Sequence, residues 1–461
     1  MKFLSTLLDG VTEYETLVSA VERHNTPAAV TGVSGIHKAH LIHSLCARTG
    51  RKALVLASDE GEGQRLCNDL SSMGTAALVY PARDFNFRAA EGQSREYEHQ
   101  RLQVMARMLD GDYQVVISCI DAVLQYTIPP DELRSKRLTL RAGQEAPLEK
   151  IEALLSASGY ERYQQVEGPG QFAVRGGILD FFTPDASAPI RVEFWGDEID
   201  TLCYFDPETQ RRTDDPLEEI TLAPSTEVLV SSPGSLAKKI ERLSAGLRGK
   251  TAVRAKERLA QEADQLLAGK RPGSADKFLP LLYPSPATLL DYLEPEALVF
   301  QSEPIKIKER LRSTAWQWGE DLKDYLEEGI LCKGLDVFSG DYIYVQKQLE
   351  HRDCVYLDTF VRGSYDTPLS SLISLNARQL SVWGGGMQLL QEDLNAILSP
   401  KMRIVVLGGT ERSARAAAED LQNSGVPCEY RDDAKTLSLG RVTVLPGSLS
   451  AGFEYPTANF A

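Results

Sequence analysis

No stretch of this chain approaches the roughly 20 uninterrupted apolar residues that a membrane-spanning helix needs. The opening MKFLSTLLDGVTEYE turns acidic without the basic start or small-residue cleavage site of a secretory signal. Both absences point to a cytoplasmic protein. Positive charge is also short, with 50 Lys and Arg against 65 Asp and Glu and a net charge of -15. That balance is opposite in sign to the contact surface of a tight, sequence-independent nucleic-acid binder and favours protein partners. Cysteine is sparse: Cys46, Cys67, Cys119, Cys203, Cys332, Cys354 and Cys428 are odd in number, widely spaced and without a CxxC pair. A disulfide framework or zinc site is thereby excluded, and buried reduced thiols are expected. Of only 6 histidines, half sit together as His37, His40 and His43. At helical spacing each lies about 60° behind the last, so one metal would suit a neighbouring pair at most, and no acidic or thiol ligand accompanies them. They are expected to be packing residues, with no metal site. There is no low-complexity tract and no short-period repeat.

What is present is ordinary globular material, 43% apolar and 25% charged, in a chain of 461 residues that suggests three or four folded units. Residues 1–133 alternate short apolar runs (PAAVTGVSG, KALVLAS, AALVYPA, YQVVISC) with helical patterns, which predicts βα units and a parallel sheet covered on both faces. In the helix SREYEHQRLQVMARMLDG, Leu102, Met105, Ala106 and Leu109 form a core stripe. The texture changes at 134–225, where a helix leads into an antiparallel meander. Residues 226–345 return to helices and the buried strand ALVFQSEP and read as the second half of the α/β domain. Residues 346–461 alternate strand and helix signals again and read as a small third α/β domain.

The sharpest signals lie between Gly168 and Arg212. In IRVEFW a period of two puts Ile190, Val192 and Phe194 on one side and Arg191, Glu193 and Trp195 on the other. Arg and Trp are the types most enriched at interface hot spots, and a strand holds residues four apart rigidly about 13 Å from one another. Upstream, FAVRGGILDFF reads as a strand interrupted at Gly176-Gly177, a pair that marks a bulge or a close backbone approach. TPDASAP and Gly196-Asp197 supply turns. The acid pairs Glu198 with Asp200 and Asp214-Asp215 have no histidine or nucleophile at matching positions and read as solvated charges.

GQFAVRGGILDFFTP, PIRVEFWGDEID and FDPETQRR closely resemble the module shared by the excision-repair protein UvrB and the bacterial transcription-repair coupling factors. The resemblance implies that the module binds the damage-recognition ATPase UvrA through the arginine of AVRG, the arginine of PIRVEF and the aromatic after EF. Here these are Arg175, Arg191 and Trp195, the last replacing a more usual Phe. It implies a fold in which a degenerate helicase-like, P-loop type parallel-sheet domain carries an inserted α+β UvrA-binding module and is followed by a small α/β domain. In that family GSLSAGFEYP lies near the end of the third N-terminal domain, with an RNA-polymerase-interacting domain and an ATP-driven DNA motor to follow. The chain is therefore expected to be an N-terminal portion of such a protein, with contacts to RNA polymerase and DNA belonging to other domains. It is expected to expose a UvrA-binding face that a C-terminal domain masks in longer members.

VTGVSGIHKAHLIH sits where a phosphate-binding loop belongs, between a predicted strand and a predicted helix. The pattern G-x-x-x-x-G-K-[ST] falls on Gly32 to Ala39. Gly32, Gly35 and Lys38 are compatible with it, but His37 replaces the second glycine and Ala39 the hydroxyl that would hold Mg²⁺. In the acidic strand, Ser302 stands where the resemblance implies a metal-binding Asp, beside Glu303. No catalytic residue, cofactor or metal is expected. Two alternatives compete with a recruitment role: a UvrB-like ATP-dependent repair enzyme, and a structural or autoinhibitory spacer.

Overall fold

A computed structural model describes residues 1–88, 94–249, 251–365, 367–380 and 386–461. Among them, seven parallel strands form one sheet in the order Ser371–Ser374, Ala28–Thr31, Cys354–Asp358, Leu298–Ser302, Ala53–Ala57, Val115–Cys119, Ala77–Tyr80. Its central strands are apolar along their length because both faces are covered. Ala53, Val55, Ile117, Phe300 and Leu357 face one core, while Leu54, Leu56, Val116 and Val299 face the other. The helices that cover it are set by local chemistry. Helix Glu60–Met73, for example, starts where the Asp59 carboxylate accepts the backbone N–H of Glu62, satisfying a donor with no partner in the helix.

The expected boundary at 345/346 does not hold. Strand Cys354–Asp358 lies in the middle of the large sheet, between Ala28–Thr31 and Leu298–Ser302, and Ser371–Ser374 forms its edge. The run VYLDTF announces a strand, but only crossover topology decides which sheet receives it. The smaller sheet is built later, from Arg403–Leu407, Arg441–Leu445 and Cys428–Tyr430, all parallel, with helix Glu411–Asn423 against it through Ala414, Ala417, Ala418 and Leu421.

A six-stranded sheet stands apart from both, in the order Arg212–Pro216, Glu198–Phe205, Ile190–Trp195, Ile178–Phe181, Gln171–Arg175, Glu161–Arg162. Its inner face packs Leu179, Phe181, Ile190, Val192, Ile199 and Leu202 with Ile151 and Leu155 of helix Leu148–Ala157. Leu138–Arg141 and Glu219–Leu222 pair antiparallel and close the unit at its neck. The chain leaves the neck directly into a buried charge cluster. Arg101 holds Glu227 through Nε at 2.7 Å and Nη2 at 3.2 Å, both side chains being fully buried. Arg83 lies 3.2 Å from Glu98 and 3.2 Å from Asp276. Thr226 and the Glu227 backbone donate to Glu98 at 2.8 Å, and Arg271 donates to the Thr226 hydroxyl at 2.9 Å. Burial pushes the Glu98 carboxyl up, and the charges of Arg83, Arg95 and Arg271 override it and leave it below the usual carboxylate range.

Helix Gly35–Thr49 buries all three of the clustered histidines. His40 meets Tyr455 Oη at 3.1 Å and the Leu4 carbonyl at 2.9 Å, and His43 meets the Thr75 hydroxyl at 2.7 Å. His37 lies edge-on to Phe453 and Tyr455. They are packing groups: His37 and His40 join the helix to the C-terminal segment, and His43 joins it to Thr75. The cysteines are free, and all but the half-buried Cys67 are buried.

Burial lowers His40 to about 3 and His37 and His43 each to about 4, against an ordinary value of 6.5. The unfolded chain therefore takes up protons between these values while the fold does not, so stability falls with pH through that window. Each histidine is expected to remove about 2 kcal/mol between about pH 7 and pH 5. Urea unfolding should show His40→Gln with a shallower pH dependence than wild type, and identical slopes would refute it. Glu227→Gln leaves Arg101 buried without its counter-charge and should cost about 3–5 kcal/mol in the same measurement. A loss below about 1 kcal/mol would show that water reaches the cluster.

Candidate functional site

Alternation places the side chains of strand Ile190–Trp195 as the sequence predicts at its start. Ile190 and Val192 are fully buried while Arg191 and Glu193 are half-buried on the other side. At the end of the strand Phe194 is only half-buried, packing partly against the inner core, and Trp195 is 83% exposed. The expected single strand FAVRGGILDFF is instead a hairpin. Arg175 pairs with Ile178, leaving Gly176-Gly177 as a two-residue turn with Gly176 at φ 61°. Only glycine enters that region without steric cost. Gly177 donates closeness rather than curvature: a Cβ there would lie 3.1 Å from the Phe194 carbonyl.

Beneath this face sits a carboxylate that the sequence reading passed over. Asp180 is 1% exposed and stands directly across from Arg191 in the ladder. Arg191 donates to both its oxygens, Nε at 2.7 Å and Nη2 at 2.8 Å. The same guanidinium lies over the Phe205 ring at 4.7 Å and donates to the Gln210 carbonyl at 3.1 Å. Hydrogen bonding to Asp180 therefore holds Arg191 above the ordinary arginine range, against the opposing effect of burial. Arg175 reaches Asp180 and the Gln210 side-chain oxygen, each at 3.4 Å, and its side chain remains 48% exposed.

The three residues singled out from sequence thus share one face but differ in availability. Trp195 projects into solvent, Arg175 lies across the surface, and Arg191 is spent on internal bonds. Exposed Arg212, 3.6 Å from Glu193, adds a cation at the rim. A signal for Asp180 existed in ILDFF: an ionised side chain within an apolar strand needs a cation beside it. Glu198 and Asp200 are exposed as expected, and the side chains of Asp214 and Asp215 lie outside the described residues.

The loop at Gly32 is closed from three sides. Gly32 has φ 83°, and a Cβ there would come 2.7 Å from the Leu375 carbonyl oxygen. Ser34 Oγ meets His37 Nδ1 at 2.8 Å, and the His37 ring lies under Phe453 and Tyr455. Lys38 is buried, with its ammonium 2.7 Å from Glu303, 2.9 Å from Ser302 and 3.4 Å from Glu62. Ser302 in turn donates to Glu62 at 2.6 Å. Burial raises the pKa of both Glu62 and Glu303, but Lys38 and neighbouring hydroxyls more than offset it and keep them ionised. Among the described residues no group of three or more His, Cys, Asp and Glu is placed to hold a metal ion, and no helix is long and apolar enough to cross a membrane.

Residues 138–228 match the model of the UvrB interaction domain family, the stretch that forms the six-stranded sheet and its neck. Along its whole length the chain is 23% identical to the transcription-repair-coupling factor of Bacillus subtilis, covering 40% of that protein. It is likewise 23% identical to the transcription-repair-coupling factor of Staphylococcus aureus strain MRSA252, with 99% of this chain and 39% of the relative covered. The chain spans about two fifths of the length of the curated relatives it matches. It is therefore similar from end to end to the N-terminal part of the transcription-repair-coupling factors, with a UvrB interaction domain at residues 138–228.

Proposed function

We propose that this chain is a recruitment unit of transcription-coupled excision repair, which binds UvrA through the outer face of the six-stranded sheet. The observation that carries the reading is Trp195, 83% exposed on the same face of the sheet as Arg175, within the region matching the UvrB interaction domain. An aromatic held in solvent by a well-packed sheet has little conformational entropy left to lose, which is how hot-spot anchors gain affinity. Arg175 and Arg212 offer charge-assisted hydrogen bonds to carboxylates or carbonyls on the partner. Arg191 supports the face from below. The link to stalled transcription, and hence to RNA polymerase, rests on similarity to the coupling factors.

The chain performs this role without hydrolysing nucleotide. Phosphoryl transfer depends on a cation cradle for the phosphates and a metal held by protein oxygens. Lys38 already spends its donors on Ser302, Glu303 and Glu62, and the His37 ring occupies the position where backbone would approach phosphate.

Titration calorimetry with UvrA should show Trp195→Ala weakening binding about 30-fold or more, with unchanged melting. Arg175→Ala should weaken it about tenfold. Arg191→Ala should lower both affinity and melting temperature, because it leaves buried Asp180 with only the long contact to Arg175. Wild-type affinity in both the Trp195 and Arg175 variants would remove the face from consideration. Phosphate release from ATP by the chain alone should equal the buffer blank. Hydrolysis lost on Lys38→Ala would establish an enzyme instead.

A further inference from the structure

The loop that follows strand Glu198–Phe205 holds a residue in a conformation it has no intrinsic reason to adopt. Gln210 has φ 58°, a left-handed region that side chains with a Cβ occupy at a cost and that persists where surrounding contacts over-determine it. Here they do. The Asp206 carboxylate caps the loop by accepting the backbone N–H groups of Glu208 and Thr209, each at 2.8 Å, and the Gln210 N–H donates to the Asp206 carbonyl at 2.8 Å. The Gln210 amide nitrogen donates to the carbonyls of Pro207 at 2.7 Å and Val166 at 3.2 Å. With both donors so fixed, its side-chain oxygen is aimed at Arg175 Nη2, while its backbone carbonyl accepts from Arg191. Asp180 closes the circuit from beneath, touching both arginines.

We infer that Gln210, together with Asp180, is a positioning residue of the partner-binding face, orienting the Arg175 guanidinium on the face that also carries Trp195 before the partner arrives. The inference rests on the proposed UvrA-binding role and adds to it. Arginine carries a large rotamer entropy, and a half-exposed guanidinium with no tether would surrender it on binding. Two tethers at 3.4 Å are weak enough to be exchanged for partner contacts and sufficient to narrow the search. The Gln210 side chain supplies one tether from a loop, and Asp180 supplies the other from the strand next to Arg191. Since Arg191 occupies both Asp180 oxygens at shorter distance, Asp180 serves Arg175 as a long-range charge, and Gln210 sets direction.

Replacing buried Asp180 strips two arginines of their counter-charge and lowers folding stability, so the test is made on Gln210. Glycine adopts φ 58° freely and keeps the backbone carbonyl that Arg191 uses, so Gln210→Gly retains the backbone of the loop while deleting the side-chain bonds to Arg175, Pro207 and Val166, and parallel melting reports any loosening of the loop. The full chain, Gln210→Gly, Arg175→Ala and the double variant are titrated into UvrA, with thermal melting followed in parallel. Expected is an affinity loss of about fivefold for Gln210→Gly, melting within about 3 °C of wild type, and a double variant no weaker than Arg175→Ala alone. Additive losses in the double variant, or an unchanged affinity in Gln210→Gly where Arg175→Ala is weakened, overturn the positioning role and leave the binding face standing. Absence of UvrA binding by the wild-type chain overturns the face itself, and the positioning role with it.

Discussion

The structure depends most on the buried charge cluster around Glu227. Ions this deep in a protein are tolerated only when paired and hydrogen-bonded throughout, and this cluster draws its members from separate parts of the chain. Glu98 and Arg101 come from helix Glu96–Asp110, Arg83 follows strand Ala77–Tyr80, Asp276 and Arg271 come from the segment after helix Ala252–Leu267, and Thr226 and Glu227 leave the neck of the inserted sheet. Pulling the neck away from the α/β body would leave Arg101 facing an apolar interior. The inserted unit is thereby held against the body at its neck and this cluster, with Arg137 on Asp110 and Arg95 near Glu161 as further ties.

The same logic recurs in smaller form within the inserted sheet. Asp180 is a charge below a binding face rather than on it, and it forces Arg191 inward and draws Arg175 sideways. What remains for a partner is an aromatic in solvent, a laterally tethered arginine and a rim cation. The proposed face is thus ordered by interactions among the sheet's own residues. That explains how a short β-unit offers a defined surface without a deep pocket.

At the Gly32 loop the constraint runs the other way. A lysine at the start of a helix that follows a parallel strand is well placed for phosphate. Here the strands beside it supply Ser302 and Glu303, the next helix supplies Glu62, and the C-terminal segment lays Phe453 and Tyr455 over His37. Lys38 is thus neutralised by internal counter-ions, and the C-terminal segment packs over the start of the helix. His37 and His40 form the seam of that docking, and each of the three clustered histidines is bonded to a hydroxyl or a carbonyl.

Periodicity determined a good deal by itself. Continuous apolar runs fixed buried parallel strands, and alternation in IRVEFW fixed which way Arg191 and Trp195 point. Both are local consequences of side-chain spacing and type. Tertiary structure alone decided that Cys354–Asp358 enters the middle of the large sheet rather than a later domain, because strand partners are chosen by crossover and edge availability. It alone decided that Gly176-Gly177 is a turn, that Arg191 is spent on Asp180, and that Gln210 is held left-handed between two arginines. Apart from the local Gly176-Gly177 turn, those outcomes depend on pairings across sequence separations of roughly ten to several hundred residues, set by burial and counter-charge whose partners no local pattern names.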